Sequence, residues 1–112
     1  MDCIFCRIIS GDIKSDILYR DDLLVAFRDI NPKAPVHLLI VPRKHIACLA
    51  DVEDDELPML GHLMAAANRL AREAGIADKG YRLVVNCGPD GGQEVAHLHL
   101  HLLGGRQMRG LG

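Results

Sequence analysis

The sequence lacks any apolar run of the roughly 18 residues that a membrane-spanning helix requires. It also lacks an excess of positive charge, since it has 13 lysines and arginines and 15 aspartates and glutamates. A broad nucleic-acid-binding surface normally needs such an excess. The N-terminal residues show no basic region followed by an apolar stretch, which is the pattern of a secretory signal. We therefore expect a cytoplasmic protein that contacts neither a membrane nor a nucleic acid.

No repeat, linker or low-complexity segment divides the 112 residues, and 49% of them are hydrophobic. This length and this apolar content suffice for one core. The sequence therefore predicts a single domain over residues 1–112.

Apolar periodicity places a short helix over Cys3–Ile9, which Gly11 ends, and one long helix over about Asp54–Ala74. The strands do not alternate regularly with helices, which favours an α+β fold with an antiparallel sheet of about five strands. The predicted strands are Ile17–Tyr19, Leu23–Arg28, Val36–Val41, Tyr81–Asn86 and Ala96–Leu103.

The run from Val95 to Leu103 is the most informative part of the chain, because His97, His99 and His101 alternate with aliphatic residues. A β-strand has a side-chain period of two, so the three imidazoles would share one face of a strand. Imidazole can act as a nucleophile, a proton carrier or a metal ligand near neutral pH. The pattern therefore indicates a functional site or a metal site.

A glycine-rich segment, residues 87–94, precedes these histidines. Glycines such as Gly91 and Gly92 let backbone N–H groups approach a ligand closely and cradle a phosphate. Beside a nucleophile, such donors are suited to phosphoryl chemistry.

The sequence has four cysteines, and Cys3 and Cys6 form a Cys-x-x-Cys pair. In a chain with no sign of export, such a pair indicates metal binding or redox chemistry. No thioredoxin-like βαβ pattern follows, so metal binding is favoured. We expect Cys48 and Cys87 to be small, buried or partly buried residues.

The stretch from His97 to Leu103 resembles the signature of the histidine triad (HIT) superfamily of nucleotide hydrolases and transferases. The similarity extends over nearly the whole chain. It is greatest to the Hint branch, whose members are dimeric purine nucleoside phosphoramidate hydrolases. Further segments that carry the resemblance are Cys3–Ile9, Leu24–His37, Pro42–Ile46 and Gly104–Met108.

The resemblance implies that His99 attacks the α-phosphorus of a purine nucleoside phosphoramidate, such as an AMP-lysine-like species, to form a nucleotidyl-histidine that water then cleaves. His101, Asn86 and the backbone near Gly92 and Gln93 would hold the phosphate oxygens. Asp29 would accept the ribose hydroxyls. The apolar wall of the base site would comprise Ile4, Phe5, Ile8, Phe27, Ile30 and Leu39.

Relatives with an N-terminal Cys-x-x-Cys imply a structural zinc site completed by two histidines. His45, in Pro42-Arg43-Lys44-His45, and the first triad histidine, His97, would join Cys3 and Cys6. Four protein ligands close a zinc site, so the metal would stabilise the fold and orient the strand that carries His99.

Alternative functions are a dinucleoside polyphosphate hydrolase, a nucleotidyl transferase, or a nucleotide- or zinc-binding regulatory protein. The resemblance also implies a homodimer that pairs the long helices and the strands near Tyr81–Asn86. We expect His37 to be a hydrogen-bonded core residue near the site, and His62 to lie on the surface or at an interface.

Two features depart from the Hint pattern. Glu94 stands where Hint-type enzymes often carry a serine that assists the phosphate or the leaving group, which puts rate and leaving-group preference in question. Their tails usually continue with an aromatic residue and prolines, whereas Arg109–Gly112 offers neither.

Overall fold

The computed structural model describes residues 3–112 and has two α-helices and one five-stranded sheet within that range. The predicted α+β fold with a short N-terminal helix and one long helix is confirmed. No helix in this part of the chain is both long and apolar enough to cross a membrane. The elements are α1 Ile4–Ser10, β1 Ile17–Arg20, β2 Leu24–Arg28, β3 Val36–Pro42, α2 Leu57–Glu73, β4 Tyr81–Val84 and β5 Leu100–Gly104.

The sheet has the strand order β1-β2-β3-β5-β4, and every neighbouring pair is antiparallel. The central strand β3 is the most apolar, as expected for a strand whose two faces are covered. Its register with β5 pairs His37 with Leu103 and Leu39 with His101. This register brings histidines from two strands to the same region of the sheet.

Helix α2 covers one face of the sheet. Two short 3₁₀ turns, Leu49–Asp51 and Asp54–Glu56, precede it, so the α-helix begins three residues later than the periodicity indicates. Gly75 follows its C-terminus with a φ of 76°, a conformation that glycine adopts without strain. The buried side chains on this face are those of Leu24, Ala26, Leu38, Ile40, Ile46, Met59, Leu63, Ala66, Ala67, Leu70, Ala71, Ile76, Leu98, Leu100 and Leu102.

Helix α1 covers part of the opposite face. Cys3 is its N-cap, and its Sγ accepts a hydrogen bond from the backbone N–H of Cys6 at 3.4 Å. Gly11 ends the helix in the left-handed conformation. Phe5 and Ile8 pack with Phe27, and the rings of Phe5 and Phe27 meet edge to face at 5.4 Å.

The prediction of a strand over Ala96–Leu103 is wrong in its first half, because β5 begins at Leu100. The ladder between β3 and β5 ends at the pair Ile40–Leu100, and Pro42, near the end of β3, has no N–H to extend it. The backbone N–H of Leu98 instead donates to the carbonyl of Ile46 at 2.7 Å. His97 and His99 therefore precede the strand. The strand predicted at Tyr81–Asn86 likewise ends early, at Val84.

Candidate functional site

The thiols and imidazoles of Cys3, Cys6, His45 and His97 converge in one cluster, in which all four ligand atoms lie within 4.8 Å of one another. The Nδ1 of His97 lies 3.4 Å from the Sγ of Cys3 and 3.6 Å from that of Cys6. The Nδ1 of His45 lies 3.5 Å from the Sγ of Cys6 and 3.2 Å from the Nδ1 of His97. These residues could hold a metal ion.

The separations fit a tetrahedral ion of the size of zinc. Zn–S bonds of about 2.3 Å and Zn–N bonds of about 2.0–2.1 Å place neighbouring ligand atoms about 3.3–3.8 Å apart. His97 is fully buried, and burial lowers its pKa. Its Nε2–H donates to the carbonyl of Pro42 at 2.8 Å, so the Nδ1 lone pair faces the cluster. Such a backbone partner is typical of a metal-binding histidine.

Local structure explains how distant segments meet in this cluster. Cys3 and Cys6 lie one turn apart at the start of α1, so both thiols lie on one side of that helix. His45 follows the end of β3, and His97 precedes β5, the neighbour of β3 in the sheet. The cluster therefore joins the N-terminal helix to the middle of the sheet.

His99 is 6% exposed and lies against the edge of the Phe5 ring, with ring centroids 5.1 Å apart. Its Nδ1 lies 2.7 Å from the carbonyl oxygen of His97. Because a carbonyl only accepts, Nδ1 carries the proton and Nε2 keeps a lone pair. This is the tautomer that a nucleophilic imidazole needs.

The ring of His101 meets that of His99 edge to face with centroids 4.9 Å apart, and His37 orients it. The backbone N–H of Lys33 donates to the Nδ1 of His37 at 3.0 Å, so the Nε2 of His37 carries a proton. That Nε2–H donates to the Nδ1 of His101 at 2.9 Å. His101 is left with an Nε2–H that can donate to an oxyanion.

Burial, together with the neighbouring rings of His99 and His37, lowers the pKa of His101 to about 4. Burial also lowers the pKa of His37. Both rings are therefore neutral near pH 7. The predicted role of His37, a hydrogen-bonded core histidine near the site, agrees with its 6% exposure and its contact with His101.

A cavity of about 420 Å³ opens beside His99 and His101. Every residue predicted from the sequence to bind the nucleotide lines this cavity, except Gln93. The polar part of the lining comes from the side chains of Asp29 and Asn86 and from the backbone of Gly92. The Oδ1 of Asp29 accepts a hydrogen bond from the backbone N–H of Asn31 at 2.8 Å. The remaining predicted residues in the lining are Ile4, Phe5, Ile8, Phe27, Ile30 and Leu39.

The structure departs from the expectation for Gln93. Its Nε2 donates to the carbonyls of Ala47 and Val95 at 2.7 and 2.9 Å, and its Oε1 accepts from the backbone N–H of Gly88 at 2.9 Å. Its own backbone N–H donates to the carbonyl of Gly88. Gln93 therefore shapes the loop and does not line the cavity.

Several cavity residues were not anticipated from the sequence. Val84, Val95 and Leu103 add apolar surface, and Lys33 adds a cation. Leu103 follows His101 by two residues on β5. Because side chains two residues apart share one face of a strand, the sequence could have predicted that Leu103 lies on the same face as His101. Cys48 and Cys87 are half-buried and exposed, so the prediction of burial is wrong for Cys87.

Comparisons with known proteins agree with this geometry. The family model described as the HIT domain matches residues 10–108. The purine nucleoside phosphoramidase of Escherichia coli is 50% identical over 105 residues, which cover 94% of this chain and 88% of that protein.

Two solved structures extend the comparison to the fold. The crystal structure of a HIT family hydrolase from Legionella pneumophila is 51% identical, with a TM-score of 0.94 and 96% of each chain covered. A zinc-bound histidine triad family protein from Mycobacterium smegmatis is 30% identical, with a TM-score of 0.81 over 95% of this chain and 76% of that one.

Proposed function

The chain belongs to the HIT domain family, and on that basis we propose that it hydrolyses the P–N bond of purine nucleoside phosphoramidates. The observation that carries this proposal is the hydrogen bond from His99 Nδ1 to the carbonyl of His97, which leaves Nε2 as the nucleophilic atom in the cavity. The 50% identity to a named purine nucleoside phosphoramidase supports the same reaction.

In the proposed first step, the Nε2 lone pair of His99 attacks the α-phosphorus and forms a P–N bond to the imidazole. The P–N bond to the amine breaks, and the leaving nitrogen takes up a proton from solvent, which the hydrolytic water returns in the next step. Water then cleaves the nucleotidyl-histidine, which releases the nucleoside monophosphate and regenerates His99. A covalent intermediate divides one difficult displacement into two easier ones.

His101 and Asn86 are suited to hold the phosphate oxygens during both steps. The Nε2–H of His101 is fixed as a donor by the hydrogen bond from His37, and neutral His101 keeps its ring orientation near pH 7. Preorganised donors stabilise the charge that develops on phosphate oxygens. Asp29 lines the same cavity and offers a carboxylate to the ribose hydroxyls.

We also propose that the Cys/His cluster of Cys3, Cys6, His45 and His97 holds a structural zinc ion. The ligand-atom separations and the hydrogen bond from the His97 ring to the carbonyl of Pro42 support zinc at this position. Four protein ligands leave no open position for substrate, so the metal would stabilise the fold. His97 is shared, since its carbonyl also orients His99.

A homodimer is the oligomer that the fold favours. Within residues 3–112, β4 pairs with β5 alone, so one edge of the sheet is open to a second copy. On α2, Leu57 and Met64 are 54% and 48% exposed. Isologous pairing through a strand edge and a helix would cover both surfaces.

Sedimentation velocity tests the dimer with the variant Met64→Glu and the control Leu111→Glu, which places the same charge on a 92% exposed residue near the C-terminus. A dimer that Met64→Glu weakens and the control preserves is expected. A monomeric wild-type protein would reject the proposal.

Turnover of an adenosine phosphoramidate of lysine tests the catalytic proposal. We expect His99→Ala to lower kcat by at least about a thousandfold while the circular dichroism spectrum is unchanged. His62→Ala, a histidine substitution on α2 outside the cavity, is the matched control and should keep turnover. Faster turnover of a diadenosine polyphosphate than of the phosphoramidate, or full activity of folded His99→Ala, would overturn the assignment.

A further inference from the structure

Cys48 and Cys87 are the two cysteines outside the Cys/His cluster, and both are free thiols. Although they belong to different loops, Cys87 lies close enough to Cys48 to raise the pKa of its thiol. The Sγ of Cys48 also donates to the Oδ2 of Asp51 at 3.4 Å. Cys48 is half-buried and Cys87 is exposed, so one thiol is shielded and the other is open to solvent.

The backbone around the two cysteines is held together independently of the thiols. The Gln93 amide donates to the carbonyl of Ala47, the residue before Cys48, and accepts from the N–H of Gly88, the residue after Cys87. The two chain segments are thus bridged next to both thiols. The bridge holds the loops that carry Cys48 and Cys87 side by side, and a bond between their sulfurs requires such an approach.

We propose that Cys48 and Cys87 form a reversible disulfide that acts as a redox switch on the glycine-rich segment, residues 87–94. The oxidant is a peroxide. Disulfides in cytosolic proteins are usually transient and redox-sensing, which fits two free thiols on loops that one glutamine side chain bridges.

The exposed thiol of Cys87 reacts first. Its sulfur attacks a peroxide oxygen, the O–O bond breaks, and Cys87 becomes a sulfenic acid while one water leaves. The Cys48 sulfur then attacks the sulfenic sulfur, the S–O bond breaks, and the disulfide forms with release of a second water. Two thiols are oxidised and one hydrogen peroxide is reduced to two waters.

Cys48 is suited to be the second, resolving thiol. The hydrogen bond to Cys87 and burial raise its pKa, so it stays protonated until the neighbouring sulfur is oxidised. Asp51 stands within reach to accept the proton as Cys48 attacks. A thiol or dithiol reductant reverses the reaction by exchange.

The disulfide is placed to affect the phosphate side of the cavity. Cys87 follows Asn86, whose side-chain amide donates to the carbonyl of Gly91 at 2.6 Å. A side chain at Gly91 would collide with the backbone of Cys87, so the loop folds tightly on this residue. Fixing Cys87 to Cys48 therefore restrains Asn86 and Gly92, which line the cavity.

The test treats the 112-residue chain, purified without chelator, with stoichiometric hydrogen peroxide. Peptide mapping by mass spectrometry should find a Cys48–Cys87 cross-link within one chain, and dithiothreitol should remove it. Cys48→Ser and Cys87→Ser, which leave the proposed catalytic groups untouched, should not form it. Absence of this cross-link, or a cross-link between chains or through Cys3 or Cys6, would overturn the proposal.

The effect on activity rests on the proposed function and is measured separately. Oxidation should slow phosphoramidate turnover by about tenfold, since small displacements near a reacting group carry costs of this size. Turnover of Cys48→Ser should not respond to peroxide. Unchanged turnover in a fully cross-linked protein would reject the switch. Peptide mapping needs no substrate, so it tests the disulfide independently of the proposed reaction. Failure of the proposed function would instead be seen as a lack of phosphoramidate turnover in the untreated protein.

Discussion

The Nε2–H of His37 on β3 donates to the Nδ1 of His101 on β5 at 2.9 Å, and this bond fixes the ring of His101 beside that of His99. The register of the sheet brings His37 and His101 together. Leu39 of β3 pairs with His101 of β5, and His37 lies two residues before Leu39 on the same face of β3. The Lys33 N–H completes the chain by setting the tautomer of His37. In the proposed reaction, the orientation of His101 therefore depends on a histidine outside the alternating run.

This pair of histidines, of which His37 is buried and His101 is half-buried, predicts that the free energy of unfolding falls as the pH is lowered from about 7 to about 5. The unfolded chain takes up protons near the usual histidine pKa of about 6.5, whereas burial lowers the pKa of His101 to about 4. The unfolded state binds more protons throughout this window, so stability rises with pH. For His101 the loss by pH 5 is about 1–2 kcal/mol, and urea unfolding at both pH values measures it.

The double variant His37→Asn/His101→Asn serves as the comparison, since it removes both depressed groups and keeps polar side chains. Its stability should change less with pH than that of the wild type. Equal pH dependence in the two proteins would contradict the assignment of buried, neutral imidazoles.

A second prediction concerns Asp21, which ties the β1–β2 turn to α2. Its Oδ1 accepts from the backbone N–H groups of Leu23 and Leu24, both at 2.8 Å, and its Oδ2 bonds Tyr19 and His62. Although burial raises it, these hydrogen bonds hold the pKa of Asp21 well below its usual range. Asp21→Ala should lower the free energy of unfolding by about 2–4 kcal/mol, measured in urea.

Asp22→Ala is the matched control, because Asp22 is the next residue in the same turn and is exposed. It should change stability by less than about 0.5 kcal/mol. Equal losses in the two variants would show that the turn needs a carboxylate at either position and that the network of Asp21 is not the cause.

The sequence predicted the elements whose signal is local. Helix α1 was predicted to within one residue because Gly11 ends it, and the three-four spacing of apolar residues identified α2. The extent of β5 was not predictable, because it depends on where its partner β3 stops offering N–H groups. Alternation in a sequence shows which face a residue takes, not how far the ladder continues.

The site was predictable to a similar degree. Residues that belong to the family pattern line the cavity as expected, whereas the part played by Gln93 was not foreseen. A glutamine side chain in a glycine-rich loop carries no signal that it will reach the carbonyl of Ala47 in a segment far away in the sequence. The proximity of Cys48 to Cys87 depends on the same long-range closure and was missed for the same reason.

The Cys/His cluster predicts about one zinc per chain in protein purified without chelator. Cys6→Ser should lose the metal and lower Tm, because the site joins α1 to the residues that follow β3 and precede β5. Elemental analysis and thermal unfolding measure the two effects. Cys48→Ser, a cysteine substitution outside the cluster, should keep both metal and Tm. Full zinc content in Cys6→Ser would reject the four-ligand site.

The last prediction concerns Glu94, which replaces the serine of the Hint pattern. Its side chain is exposed and lines both the cavity of His99 and a neighbouring cavity of about 530 Å³ that Cys3 and His45 also line. A carboxylate at this junction attracts a cationic amine as it approaches or leaves. Glu94→Gln should therefore lower kcat/KM for the lysine phosphoramidate about three- to tenfold relative to that of an uncharged alkylamine.

Glu73→Gln, which removes an exposed carboxylate at the end of α2, controls for the change in net charge. It should leave the preference between the two amines unaltered, and added salt should reduce the difference between wild type and Glu94→Gln. If Glu94→Gln instead speeds both substrates equally, the carboxylate acts on the phosphate by repulsion. The selection of a cationic leaving group would then have to come from other residues of the cavity.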